Sequence, residues 1–200
     1  MSQAIASRPL VSLALPDSGA GRLFAQAFLV VAGTLALTLS AKMKVVLGPV
    51  DMSLQTLAIL LIAACFGFRL GVATLLLYLA EGAMGLPVFQ STPEKGIGLA
   101  YMAGPTGGYL VGFAAMAAIV GYAADRGWDR NVVKLLGSML AAEAAMMALG
   151  FGWLAVLIGA EGAWTFGVVP FIVPDLIKIG LAACLVPAGW AALRGLGVGR

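Results

Sequence analysis

Asp175 and Lys178 stand three residues apart in Pro170-Phe-Ile-Val-Pro-Asp-Leu-Ile-Lys178, at the head of an apolar run that continues to Trp190. That spacing puts both side chains on one face of a helix. Pro174 suits a first helical turn, where its missing N–H costs nothing, and Asp175 then falls where the macrodipole favours an anion. A carboxylate only accepts hydrogen bonds and an ammonium only donates them. Side by side they suit a small polar ligand that does both. The plainer reading is an ion pair that anchors the helix end at a membrane interface. Ionisable groups within membrane segments are functional hypotheses by default.

Other residues could contribute to the same chemistry. Gly104-Pro-Thr-Gly-Gly-Tyr109 opens a helix, and its glycines let backbone approach either a ligand or another helix closely. Phe89, Tyr101 and Tyr109 flank one outer region. Aromatics there serve as an interface belt or line an apolar pocket. Gln55 and Thr56 bring polar groups to the start of another apolar segment. Glu143 lies near the middle of a helix, where a charge costs about 2.5–3.5 kcal/mol, so it is expected to be protonated or hydrogen-bonded. It fits the deep end of a site or a packing role equally well, and Glu81 is a second candidate carboxylate. Ala32-Gly-Thr-Leu-Ala36 offers small residues four apart, a flat strip for packing within the chain or for docking another subunit.

Several function classes drop out. The chain has no histidine, which removes His-ligated metals, bis-His haem and histidine-based hydrolysis. Cys65 and Cys184 are isolated in separate apolar segments and read as small buried residues. No G-x-x-x-x-G-K-[ST] phosphate loop is present. No catalytic residue, metal or cofactor is expected, and a nucleic-acid role is unsupported.

The elements that must position these groups follow from composition. Of 200 residues, 62% are hydrophobic and 10% charged, with a mean hydropathy of +1.02. So few charges cannot cover a soluble domain, and the expectation is an all-α integral membrane protein. At roughly 20 residues per crossing, six transmembrane helices nearly exhaust the chain. Residues 1–21 read as a flexible cytoplasmic tail, and 22–200 as the six-helix transmembrane domain. The spans begin at Arg22–Leu39, then Leu54–Phe66, a third to Met84 after a tight turn at Gly67-Phe-Arg69, Tyr109–Ala124, Val132–Ile158, and the run from Pro170. Lys42–Met52, Ser91–Gly98 and Glu161–Val169 read as loops. Alternating helices place Arg8, Arg22, Arg69, Arg126, Arg130, Lys134, Arg194 and Arg200 on one side, against Lys42, Lys44, Lys95 and Lys178. The positive-inside rule makes both termini cytoplasmic. Gln55, Phe89, Tyr109 and the Asp175/Lys178 pair then face outward. No internal repeat is apparent, which weighs against an inverted-repeat transporter.

Four ordered motifs, Met52-Ser-Leu-Gln-Thr56, Gly82-Ala-Met-Gly-Leu-Pro-Val-Phe89, Gly104 to Tyr109 and Pro170 to Lys178, resemble BioY. That family comprises biotin-specific S components of energy-coupling-factor (ECF) transporters. The likeness spans about residues 22–196. It implies an S-component bundle with an outward-facing biotin pocket in the cytoplasmic (inner) membrane. It also implies a transmembrane coupling subunit and two ABC-type ATPases as partners. The family's D-x-x-K element falls on Asp175 and Lys178, and its coupling element on Ala32 and Ala36. Tyr109, Phe89 and Gln55 complete the expected biotin site, and Pro93-Glu-Lys95 obscures the nearby loop. The rivals are a small intramembrane enzyme, which lacks a nucleophile–base pair here, and a ligand-free membrane anchor.

Overall fold

A computed structural model describes residues 9–13, 15–16, 18–46 and 51–195. Arg8, Gly48, Pro49 and Arg200 lie outside the described residues, as do the side chains of Lys44 and Met52. The described chain is helical apart from one small ribbon, and five of its helices are long and apolar enough to cross a membrane. The chain is a multi-pass membrane protein.

The first helix, α1 (Ala20–Lys42), has 23 residues, enough for a hydrocarbon core of about 30 Å at about 1.5 Å per residue. Its Gly33, Thr34 and Leu37 turn inward, while Phe24, Phe28 and Leu35 are exposed. A strand pair, β1 (Lys44–Val46) and β2 (Asp51–Ser53), follows in antiparallel register with Lys44 opposite Ser53, in place of the expected loop.

The helical stretch Gln55–Ala83 is broken at Gly67, whose φ of 74° and ψ of −175° suit only glycine. We call its arms α2 (55–66) and α3 (68–83). They fold back on one another. A Cβ on Gly71 would stand 3.3 Å from the Ala63 Cα, although eight residues along an unbroken helix span about 12 Å. Gln55 Nε2 likewise reaches the Tyr78 hydroxyl at 3.0 Å. The Asp125 carboxylate accepts from the Phe68 N–H at 3.2 Å and so ties the hinge to the next long helix.

A short α4 (Gly98–Met102) precedes α5 (Gly107–Asp125), and Gly127 in a left-handed conformation turns the chain toward α6 (Val132–Ile158). Asn131 caps α6 by accepting from the Lys134 N–H at 3.1 Å. Then come α7 (Ala160–Gly167) and α8 (Val169–Gly195). The core runs between α2, α3, α5, α6 and α8 through Ile59, Tyr78, Met116, Met139 and Ile179, each at most 1% exposed.

Three further sequence expectations need correction. Pro174 is not in a first helical turn: α8 starts at Val169, so Pro174 and Asp175 lie inside the helix. Pro170 takes the proline-tolerant place near the start, and Pro174 then deprives only an early carbonyl of its partner. The loop expected at Glu161–Val169 is largely α7. Within the expected tail, Leu10–Leu13 forms a 3-10 turn with Val11 buried and Leu10 and Leu13 against the core. Three apolar side chains after Pro9 give that turn something to bury.

Candidate ligand-binding site

The end of the bundle away from the Gly67 hinge holds a cavity of about 350 Å³, within the range of small-molecule sites. Its walls come from α2, α4 to α8 and the 84–97 loop. Asp175, Lys178, Tyr109, Phe89 and Gln55, the residues singled out in the sequence, all line it. Thr56, Phe113, Met146, Leu154 and Phe171 complete much of the surface.

Its polar corner is a closed triangle. Lys178 Nζ lies 2.8 Å from Asp175 Oδ1, and it donates to Thr56 Oγ1 at 3.0 Å. Thr56 Oγ1 in turn donates to Asp175 Oδ1 at 3.1 Å. Asp175 is 2% exposed and Lys178 9%. Burying such a pair is costly unless geometry and further hydrogen bonds compensate, and Thr56 supplies them. Thr56 was visible in the sequence only as a polar neighbour of Gln55. Gln55 itself is engaged by Tyr78.

The loop side is aromatic and firmly held. Phe89, 1% exposed, stacks on Tyr101 and meets Tyr78 edge-on, both at 5.3 Å between centroids. Gly82 leaves room for it, since a Cβ there would overlap the Phe89 ring. The Tyr78 hydroxyl donates to the Val88 carbonyl at 3.0 Å and that of Tyr101 to the Gln90 carbonyl at 2.7 Å. Burial pushes the Tyr101 phenol above its ordinary pKa. From the end of α1, Lys42 Nζ donates to the carbonyls of Phe89 at 2.8 Å and Thr92 at 2.6 Å.

On the opposite wall, the Tyr109 hydroxyl donates to the Gly167 carbonyl at 2.7 Å, and its ring occupies the space left by Gly150. The glycines of the 104–109 motif serve helix packing. Cβ atoms on Gly107 and Gly108 would crowd Trp153 of α6, and beyond the motif one on Gly112 would collide with Met146.

A family model described as the BioY family matches residues 14–195. The chain belongs to the BioY family. It is 35% identical over 148 residues to a "Probable biotin transporter BioY" of Pyrococcus horikoshii, covering 74% of this chain and 85% of that one. With the "Biotin transporter BioY" of Thermotoga maritima it shares 36% identity over 153 residues, covering 76% and 88%. A solved structure described as "Crystal structure at 2.1 A of the S-component for biotin from an ECF-type ABC transporter" superposes with a TM-score of 0.69 at 20% identity. It covers 86% of this chain and 93% of the other.

In this BioY chain Ala32 and Ala36 stand apart from the cavity. Ala36 is exposed and Ala32 half-buried, while neighbouring Gly33 packs closely on Thr74 of α3. Glu81 accepts from Thr34 Oγ1 at 3.0 Å and so belongs to the α1–α3 contact. Cys65 is half-buried, whereas Cys184 is exposed rather than buried as expected.

Proposed function

We propose that this chain is the biotin-capturing S component of an ECF-type uptake transporter. The observation that carries the reading is the Thr56–Asp175–Lys178 triangle at one end of a largely apolar cavity. The ureido ring of biotin is neutral, with two N–H donors and one carbonyl acceptor. A carboxylate beside an ammonium and a hydroxyl matches it group for group, while the aromatic and methionine walls suit the fused sulfur ring. The relatives named as biotin transporters support a transport role. The chain is therefore a transport subunit rather than an enzyme.

The finer arrangement is part of the same proposal. The arms α2 and α3 each cross the membrane, giving six crossings with both termini cytoplasmic. Residues 1–21 lie on the cytoplasmic side, and 22–200 form the binding domain. Arg69, Arg126 and Arg130 lie in or beside the hinge and the α5–α6 turn, at the end opposite the cavity, which favours this orientation. The membrane is the inner, cytoplasmic one. A transmembrane coupling subunit docks along the Ala32/Ala36 strip, and two ABC-type ATPases drive the assembly. The direct test is titration of biotin into the purified chain, where saturable binding is expected and its absence would refute the ligand.

A further inference from the structure

Glu143 is 9% exposed and lies outside the cavity wall. Both of its carboxyl oxygens are buried without a hydrogen-bond partner, and so is Asp175 Oδ2. Asp175 Oδ1, by contrast, is engaged by both Thr56 and Lys178. Glu143 stands one helical turn before Met146 and Met147, which line the cavity together with Asp175 and Lys178, and α6 packs on α8, so the two carboxyl groups and the Lys178 ammonium act on one another. Two ionised carboxylates would put like charges together in a low-dielectric interior with one ammonium to share. A single proton removes the conflict. A neutral carboxyl is a donor as well as an acceptor, and Asp175 Oδ2 is the acceptor left open.

We infer that Glu143 is a positioning residue, whose protonated carboxyl donates to Asp175 Oδ2 and holds Oδ1 toward the cavity. The consequence for the ligand rests on the biotin reading above. The corner then carries one carboxylate, one ammonium and no net charge, which suits an uncharged head group. Loss of the Glu143 proton would add a negative charge behind Asp175 and free it to turn. Binding therefore weakens toward alkaline pH. The ionisable groups facing Glu143 are Asp175 and Lys178 of α8. On the α5 side, Gly112 packs against Met146, and α7 and the Trp128–Arg130 turn adjoin α6 at its two ends.

Glu143→Gln keeps a permanent N–H donor and removes the titration, while Lys178 stays in place as the internal control. Infrared difference spectra of wild type against Glu143→Gln should show a protonated-carboxyl stretch lost in the variant. A carboxylate band lost instead would overturn the inference whatever biotin does. That readout needs no ligand, so a proton found in a protein that fails to bind biotin refutes only the ligand reading. In biotin titrations, Glu143→Gln should bind within about threefold of wild type at neutral pH and lose the alkaline weakening. Glu143→Met, a side chain at home among the methionines of α6, should weaken binding about tenfold or more in folded protein. Wild-type affinity in Glu143→Met, or an unchanged pH profile in Glu143→Gln, would overturn the positioning role.

Discussion

Asp129 is fully buried, accepts from Trp190 Nε1 at 2.6 Å, and lies in the turn between α5 and α6. Burial raises its pKa to about 6, against the opposing effects of the Trp190 hydrogen bond and of Arg130, whose guanidinium lies 4.3 Å from the Trp190 ring. The sign follows from linkage: an acid whose folded pKa is raised favours folding most when protonated. Its contribution is full below the unfolded value of about 4, fades as pH rises to about 6, and is absent above. The span is on the order of 3 kcal/mol. Asp129→Asn keeps an acceptor for Trp190 and should flatten that part of the curve of melting midpoint against pH. Parallel curves for variant and wild type would show that Asp129 does not titrate in this way. At the same scale, Asp175 and Lys178 were legible because a charged pair is conspicuous in an apolar run. Thr56 stood out only as a polar residue beside Gln55, and its pairing with a helix more than a hundred residues away has no signal in local spacing. The apolar walls at Met146, Leu154 and Phe171 were hidden for another reason: composition does not separate a cavity lining from a lipid-facing surface.

Among the elements, the hinge at Gly67 was announced by Gly67-Phe-Arg69 between two apolar runs. The 3-10 turn at Leu10–Leu13 and the ribbon at Lys44–Ser53 are too short for any periodicity to declare them. The start of α8 was misplaced because Pro170 and Pro174 both fit a first turn, and only packing chooses between them. Gly67→Ala should destabilise the protein by about 1–3 kcal/mol or more, because the backbone there excludes a Cβ. The added methyl would also meet Asp125 and Pro9. Thermal unfolding in detergent measures this, and an unchanged midpoint would mean that the hinge tolerates a side chain. On α1, Ala36 faces outward while Gly33 packs on α3 and Leu37 is buried in the core. Ala36→Trp should leave biotin binding intact and prevent co-purification with the coupling subunit. Normal co-purification would reduce the strip to ordinary surface.

For the whole molecule, Arg126 and Arg130, in the α5–α6 turn beside the hinge, lie at the end opposite the cavity, whereas Lys42 and Lys95 lie by the cavity loop. A Lys95→Cys variant should react with an impermeant thiol reagent from outside the cell. Reaction only from the cytoplasmic side would invert the topology and the outward-facing pocket together.

The central claim is that the Asp175/Lys178 corner recognises the ureido group of biotin. Titration of biotin into folded Asp175→Asn protein tests it most directly, because the change keeps shape and one acceptor while removing the charge. The expected result is binding weakened by about 10- to 1000-fold, at about 1.4 kcal/mol per decade, as befits a buried pair left unbalanced. A wild-type dissociation constant, even with a lowered melting midpoint, would make the pair a structural anchor and contradict the claim.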